Sequence, residues 1–158
     1  KLDSVIASAK SWTPKEIDFT GPLPEMALVD LDGKTHTISD FKGKNVLLTF
    51  WATWCPHCKA ELPQLGELRN EVEEEDLAIV AVSVINERNT EAAIRSYIQG
   101  QTSINYPVVA AKAEDLPSPL NQVEFLPCSF FINPKGEVKL VTEGLVPKSD
   151  MKSILRAR

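Results

Sequence analysis

The chain has 158 residues, 43% of them hydrophobic, and a formal net charge of −5. This length can bury the core of one globular domain, and three cysteines are too few for a disulfide-stapled miniprotein. Lys and Arg are scattered among Asp and Glu, which argues against nucleic acid and anionic membrane surfaces as partners. The longest apolar runs, 46–51 and 78–85, are too short to cross a bilayer.

The N-terminal part contains several short predicted elements. Apolar side chains at helical spacing in residues 2–9 predict an amphipathic helix, and the Pro-rich stretch 20–24 is predicted to be extended. The segments 26–29 and 35–38 flank an Asp-Gly pair and predict a β-hairpin. Residues 46–50 are nearly all apolar, as in a strand that is covered on both faces.

The middle of the chain alternates between helices and strands. Pro56 suits the first turn of a helix, where its missing N–H costs nothing, and apolar residues at helical spacing follow it. These residues are Leu62, Leu65, Leu68 and Val72. Residues 78–85 predict a second buried strand, and residues 90–99 predict a helix that ends at Gly100.

The C-terminal part predicts a short strand at 106–110, whereas 112–124 stays ambiguous because two prolines interrupt any helix. The segments 129–132 and 137–141 predict a hairpin joined by a type I turn. A last helix is predicted from about residue 147 onward. This order of elements is typical of an α/β protein, and no linker suggests a second domain.

Two cysteines, Cys55 and Cys58, lie where the strand 46–50 gives way to the following helix. A Cys-x-x-Cys pair in a strand–helix–strand pattern is typical of a redox dithiol. Free backbone N–H groups at the helix start are expected to face the Cys55 sulfur and favour its thiolate, which is the form that attacks a disulfide. Cys58, one turn further, can resolve the mixed disulfide, and a protonated His57 would further favour the thiolate.

The same pair can instead form half of a zinc site. Zinc needs about four ligands, and the remaining candidates are Cys128, His36 and His57, with no second paired motif. We therefore predict a redox-active Cys55–Cys58 disulfide, no metal and no other cofactor.

Glu61 follows Cys58 on the same helix and shares the stripe of Leu65 and Leu68. Because a carboxyl on an apolar face is costly to ionise, its pKa is expected to rise, and it would then exchange protons with Cys58. Its residue type alone favours the alternative, a Glu at the edge of the stripe that reaches solvent.

The segment Trp-Ala-Thr-Trp-Cys-Pro-His-Cys-Lys-Ala-Glu-Leu-Pro at 51–63 resembles the active-site segment of the TlpA/ResA-like thiol–disulfide oxidoreductases, a branch of the thioredoxin superfamily. The similarity continues upstream in 31–34 and 41–45, and downstream in Phe-Leu-Pro-Cys-Ser-Phe-Phe-Ile-Asn-Pro-Lys-Gly at 125–136. It implies a thioredoxin-like fold with a central mixed β-sheet flanked by helices and an N-terminal β-hairpin extension.

The resemblance covers about residues 21–146 and implies one thioredoxin-like domain over 1–158. Residues 1–20 are then an N-terminal extension and 147–158 the C-terminal helix. The chain starts at Lys1 with no initiator Met, which leaves open whether a signal peptide or anchor preceded it.

The resemblance also implies roles for individual residues. Cys55 is the nucleophile, Cys58 the resolving thiol, and Glu61 takes the place of this branch's buried active-site Glu. The Leu126–Pro127 bond is implied to be cis and to face the dithiol. The surface that selects a partner is expected around Trp54, Pro56, His57, Leu126 and Pro127.

Several residues depart from the family pattern. Thr49 stands where ordinary thioredoxins have an Asp, so Glu61 has to supply the acid–base group. The central Pro-His pair matches strongly oxidising periplasmic members of the superfamily, which leaves the direction of electron flow open.

Cys128 replaces the usual Thr after the cis proline, either as a small buried hydrophobe or as a third thiol able to trap Cys55. Residues 86–89 are expected to form a solvated loop, with a place along the groove as the alternative.

The resemblance implies an extracytoplasmic enzyme that reduces cysteines of apocytochrome c or other exported proteins, fed by a membrane thiol–disulfide electron donor. Disulfide insertion is the alternative, and a monomer is the default expectation. A thiol peroxidase is disfavoured because the chain lacks the peroxiredoxin motif Pro-x-x-x-Thr-x-x-Cys. When the motif is aligned to end at Cys55, Leu48 occupies the Pro position and Ala52 the Thr position. The intact dithiol weighs against a redox-inert binding module.

Overall fold

The apolar run at 46–50 forms the central strand of a mixed β-sheet in the computed structural model, which describes residues 1–157. The strands in chain order are β1 (Trp12–Pro14), β2 (Ala27–Val29), β3 (Thr35–Thr37), β4 (Asn45–Trp51), β5 (Leu77–Ile85), β6 (Val108–Lys112), β7 (Cys128–Ile132) and β8 (Val138–Gly144). Within the described residues, six strands form one sheet in the order β1-β8-β7-β4-β5-β6, and β2 pairs with β3. The predicted mixed sheet and N-terminal hairpin are confirmed.

The helices of residues 1–157 are α1 (Leu2–Ser8), α2 (Pro56–Glu71), α3 (Glu91–Gln99) and α4 (Lys148–Arg156). The strands β4, β5 and β6 run parallel, and α2 and α3 make the two crossovers between them. On its other side β4 pairs antiparallel with β7, which continues into β8. The helix predicted at 147–158 is observed as α4 at Lys148–Arg156, and residue 158 lies outside the described residues.

Both faces of β4 are buried, which explains its continuous apolar sequence. Successive side chains of a strand point to opposite faces of the sheet. Leu47 and Trp51 accordingly belong to one apolar cluster, together with Leu62 and Leu65 of α2. Leu48 belongs to a second cluster, together with the side chains of Phe50 and Phe130. The strand is thereby held rigidly at the centre of the sheet, and its C-terminal end is a fixed point for the loop that follows.

Some boundaries differ from the sequence-based expectations. The strand predicted at 106–110 is observed as Val108–Lys112, because Tyr106 turns its side chain into the core and its hydroxyl donates to the Leu62 carbonyl at 2.8 Å. The ambiguous segment 112–124 contains two short 3-10 turns, Ala113–Asp115 and Leu120–Gln122.

The edge strand β1 had no counterpart in the sequence-based prediction. It is three residues long, too short for a periodic pattern, and Pro14 within it is tolerated because the strand lies at the sheet edge. It pairs antiparallel with β8, with Trp12 opposite Gly144. The N-terminal extension is therefore part of the main sheet.

Candidate active site

The dithiol lies at the junction of β4 and α2. Cys55 is the N-cap residue of α2, and Pro56 occupies the first helical position, as predicted. Cys55 and Cys58 form a disulfide with their Cα atoms 5.3 Å apart. The Cys55 Sγ accepts a hydrogen bond from the Cys58 N–H at 3.3 Å, so the sulfur faces the free N–H groups of the helix start. Cys55 is 4% exposed and Cys58 is 0% exposed, so a reacting molecule approaches Cys55 first.

Glu61 is fully buried on α2, so the alternative of a solvent-reaching side chain is wrong. Its Oε2 accepts a hydrogen bond from the Val146 N–H at 2.9 Å, whereas Oε1 has no hydrogen-bond partner among the described residues. Burial raises the pKa of Glu61 to about 8, because the ionised carboxylate loses hydration that one backbone N–H only partly replaces. The predicted direction of the pKa shift is confirmed.

The Leu126–Pro127 bond is cis, as the resemblance implied. The Pro127 carbonyl accepts a hydrogen bond from the Gly144 N–H at 2.9 Å, which ties this turn to the end of β8. Ser118–Pro119, in the segment that stayed ambiguous, is a second cis bond.

Cys128 follows the cis proline and lies opposite Phe50 in the sheet. It is a free cysteine with no exposed surface, and burial raises the pKa of its thiol to about 12. A thiol so difficult to ionise is a poor nucleophile. The structure therefore favours the small buried hydrophobe over a third redox thiol.

Of the predicted partner-selecting residues, Trp54, Pro56 and His57 are exposed, Leu126 is half-buried and Pro127 is buried. Beside Trp54 lies an apolar groove of about 450 Å³. Its lining includes Trp54, Val84, Leu116, Val123, Phe125 and Leu126. Trp54 is 44% exposed and Phe125 is 68% exposed, so large apolar surface is open to solvent next to the dithiol.

The loop 86–89 is solvent-exposed at residues 86–88, as predicted, but it also contacts the site. Asn89 is 1% exposed, Asn86 lines the groove, and the Arg88 guanidinium lies 4.3 Å from the centroid of the Trp54 ring. Polar residues in a loop normally indicate solvent exposure. The sequence carried no signal for these contacts, because they join residues more than thirty positions apart.

Within residues 1–157, no cluster of three or more His, Cys, Asp or Glu side chains has the geometry of a metal site. Over the same part of the chain, no helix has both the length and the hydropathy of a membrane span.

A thioredoxin-like fold with a Cys-x-x-Cys disulfide at a helix N-terminus defines a thiol–disulfide oxidoreductase. Residues 19–141 match the model of the AhpC/TSA family, and the chain belongs to that family. The peroxiredoxin motif is nevertheless absent from it, since Leu48 and Ala52 occupy the required positions.

Two curated relatives are named thiol-disulfide oxidoreductase ResA. The protein of Geobacillus kaustophilus is 31% identical over 134 residues, which are 85% of this chain and 74% of that protein. The protein of Bacillus subtilis is 34% identical over 126 residues, or 80% of this chain and 68% of that protein. The solved pneumococcal exposed lipoprotein thioredoxin from Streptococcus pneumoniae superimposes with a TM-score of 0.73 and 29% identity, covering 84% of this chain and 98% of its own. The ResA-like resemblance is confirmed, and the chain is a thioredoxin-like oxidoreductase.

Proposed function

We propose that this oxidoreductase works outside the cytoplasm as a reductant of cysteines in exported proteins, as in cytochrome c maturation. The observation that carries the thiol exchange is the buried Glu61 carboxyl one helical turn beyond Cys58, whose pKa is raised to about 8 by burial. The compartment and the reductive direction are proposed from the ResA-like resemblance. A carboxyl with a pKa near the working pH can both accept and return a proton. Two relatives named ResA and a neighbour named as an exposed lipoprotein support the same assignment.

The reaction proceeds in two exchanges. The Cys55 thiolate attacks one sulfur of the client disulfide, forming a mixed disulfide and releasing the client's other sulfur as a thiolate. Glu61 then accepts the proton of the Cys58 thiol, and the Cys58 thiolate attacks the Cys55 sulfur. The second client sulfur leaves as a thiolate, and the Cys55–Cys58 disulfide is formed. The client gains two electrons and the dithiol loses two, so a membrane thiol–disulfide donor has to reduce the pair again.

The client binds across the exposed surface beside the nucleophile. Trp54, Pro56 and His57 are exposed there, and the half-buried Leu126 lines the same groove as Trp54. The open groove and the exposed Phe125 ring suit a client segment with an apolar side chain next to its cysteine. We propose that the protein acts as a single-domain monomer and that the disulfide is its only redox group.

The second candidate function is disulfide insertion. The observation that favours it is the exposed Pro56-His57 pair between the two cysteines, which matches the pair of strongly oxidising periplasmic members of the superfamily.

The reduction potential of the Cys55–Cys58 couple, measured at equilibrium with glutathione, tests the proposal. We expect a potential of about −270 mV, as in thioredoxin, whereas a value of about −120 mV establishes the oxidant instead. Cys55→Ser is the control, because it removes the couple. A wild-type protein that fails to reduce insulin disulfides contradicts the reductant outright.

A further inference from the structure

The side chain of Asn89 fills all its hydrogen-bonding positions inside the protein. Its Oδ1 accepts from the N–H of Thr53 and from the hydroxyl of Thr53, both at 2.9 Å. Its Nδ2 donates to the Ser83 Oγ and to the Val84 carbonyl, both at 2.8 Å. An asparagine amide offers two donors and one doubly accepting oxygen, so no position is left for a ligand or a solvent molecule. With 1% of its surface exposed, Asn89 is a structural connector between the end of β5 and the loop before the dithiol.

The network continues to the carbonyl end of β4. The Ser83 hydroxyl donates to the Trp51 carbonyl at 2.7 Å. The Cys55 N–H donates to the Ala52 carbonyl at 3.2 Å and closes the turn that leads into α2. Three hydrogen bonds thus hold the backbone from Trp51 to Cys55. They involve the Trp51 carbonyl, the Thr53 N–H, and the turn from Ala52 to Cys55.

The loop 86–89 is itself closed. Asn86 and Asn89 exchange two backbone hydrogen bonds at 3.0 and 3.1 Å. Between them, Arg88 places its guanidinium 4.3 Å from the Trp54 ring centroid, which is a cation–π distance. Successive residues of this loop therefore contact successive residues of the segment before Cys55.

We propose that Asn89 is a positioning residue of the dithiol, acting through Thr53 to hold Cys55 at the N-cap of α2. A sulfur at this place is stabilised as a thiolate only while it faces the helix N–H groups, and the Cys58 N–H is 3.3 Å from it. Asn89 thereby tunes the redox equilibrium without touching the reacting atoms. The inference rests on the exchange chemistry of the Cys55–Cys58 pair and holds for either direction of electron flow.

The test compares Asn89→Ala with wild type in two measurements. The first is the pH midpoint of Cys55 thiolate formation, followed by ultraviolet absorbance of the thiolate in the reduced protein. The second is the equilibrium constant with glutathione. We expect the midpoint to rise, and the equilibrium to shift toward the disulfide form by about threefold to tenfold, the range that one or two lost buried hydrogen bonds allow.

Asn105→Ala is the control for losing an asparagine that contacts α2 away from the dithiol. Asn105 also donates from Nδ2 to a backbone carbonyl, that of Gly66 at 3.2 Å, but on a later turn of α2. We expect this variant to lose stability with both redox measurements unchanged. If Asn89→Ala loses stability and likewise leaves both measurements unchanged, its role is only structural and the inference is overturned.

Ser83→Ala and Thr53→Val keep the test decisive should Asn89→Ala not fold. Each removes one hydroxyl of the same network, and each is expected to shift both measurements in the same direction by a smaller amount. No shift in either variant overturns the inference. The absolute potential of the wild type tests the proposed function separately, since this inference concerns only differences between variants.

Discussion

The buried carboxyl of Glu61 on α2 accepts a hydrogen bond at 2.9 Å from the N–H of Val146, which is 85 positions later in the chain. Two positions further, the Lys148 N–H donates to the Gln64 Oε1 at 2.9 Å, and the Lys148 ammonium pairs with Glu71 at 2.6 Å. One side of α2 therefore holds the start of α4 by a row of polar contacts. Glu61 is the buried member of that row, and its position near the dithiol is set by the backbone of a distant segment.

The free energy of unfolding should fall as pH rises through the titration range of Glu61. Burial raises the pKa of Glu61 from 4.5 to about 8, so the folded state binds this proton more tightly than the unfolded state does. Below the pKa of the unfolded state the carboxyl is neutral in both states, so its ionisation does not lower the free energy of unfolding. Above the pKa of the folded state the carboxylate is charged in both states. Burying that charge then lowers the free energy of unfolding by at most about 5 kcal/mol.

Urea denaturation of the oxidised protein between about pH 5 and about pH 9 measures this loss. In Glu61→Gln the side chain stays neutral and can still accept the Val146 N–H, so the decline should largely disappear. The same slope in both proteins contradicts the assignment. Glu71 does not interfere, because its lysine partners lower the pKa of its carboxyl to about 2, and its loss of stability occurs at acid pH.

Replacement of each cysteine of the disulfide should give a different defect. Cys55→Ser should abolish insulin reduction, because the remaining Cys58 has no exposed surface from which to attack a client. Cys58→Ser should instead accumulate a mixed disulfide between Cys55 and the client, since nothing resolves it. Mass spectrometry of the trapped adducts distinguishes the two variants, and adducts on Cys58 in Cys55→Ser reverse the assignment.

Cys128→Ala should keep insulin-reducing activity within about twofold of wild type, because burial raises the pKa of this thiol to about 12 and leaves little thiolate. It should lose about 1 kcal/mol of stability through the small cavity left beside Phe50. Peptide mapping of the oxidised wild-type protein should show the Cys55–Cys58 linkage. A Cys55–Cys128 linkage would revive the third redox thiol.

Gly144→Ala should destabilise the protein by about 2–3 kcal/mol or more. Gly144 has φ +104°, and a Cβ there would lie 2.5 Å from the Ser11 carbonyl oxygen of the strand-forming N-terminal segment. Gly33→Ala is the control, with φ +85° and open space around the same position, and should cost only about 1 kcal/mol. Thermal unfolding of both variants measures the difference, and equal losses would remove the steric explanation.

The fold was largely predictable because its central elements carry strong local patterns. The continuous apolar run of β4, the proline at the start of α2 and the Asp-Gly turn between β2 and β3 each depend on neighbouring residues. The edge strand β1 was not predictable, because three residues that include Pro14 carry no pattern. The predicted start of β6 was wrong for a related reason. The aromatic residue Tyr106 favours a strand by residue type, but its hydroxyl donates to the Leu62 carbonyl of α2 instead.

The sequence by itself determined that Cys55 and Cys58 form a redox pair at the start of a helix and that Glu61 lies on the same helix, because helical spacing brings these residues together. Only the tertiary structure decided what surrounds that helix. It showed that Glu61 Oε1 has no hydrogen-bond partner among residues 1–157 and that Cys128 is buried beside Phe50. It also showed that Asn89 holds the loop before Cys55 by a hydrogen bond. The physical reason is that spacing along a helix is local, whereas burial and hydrogen-bond partners depend on segments that meet only when the sheet has formed.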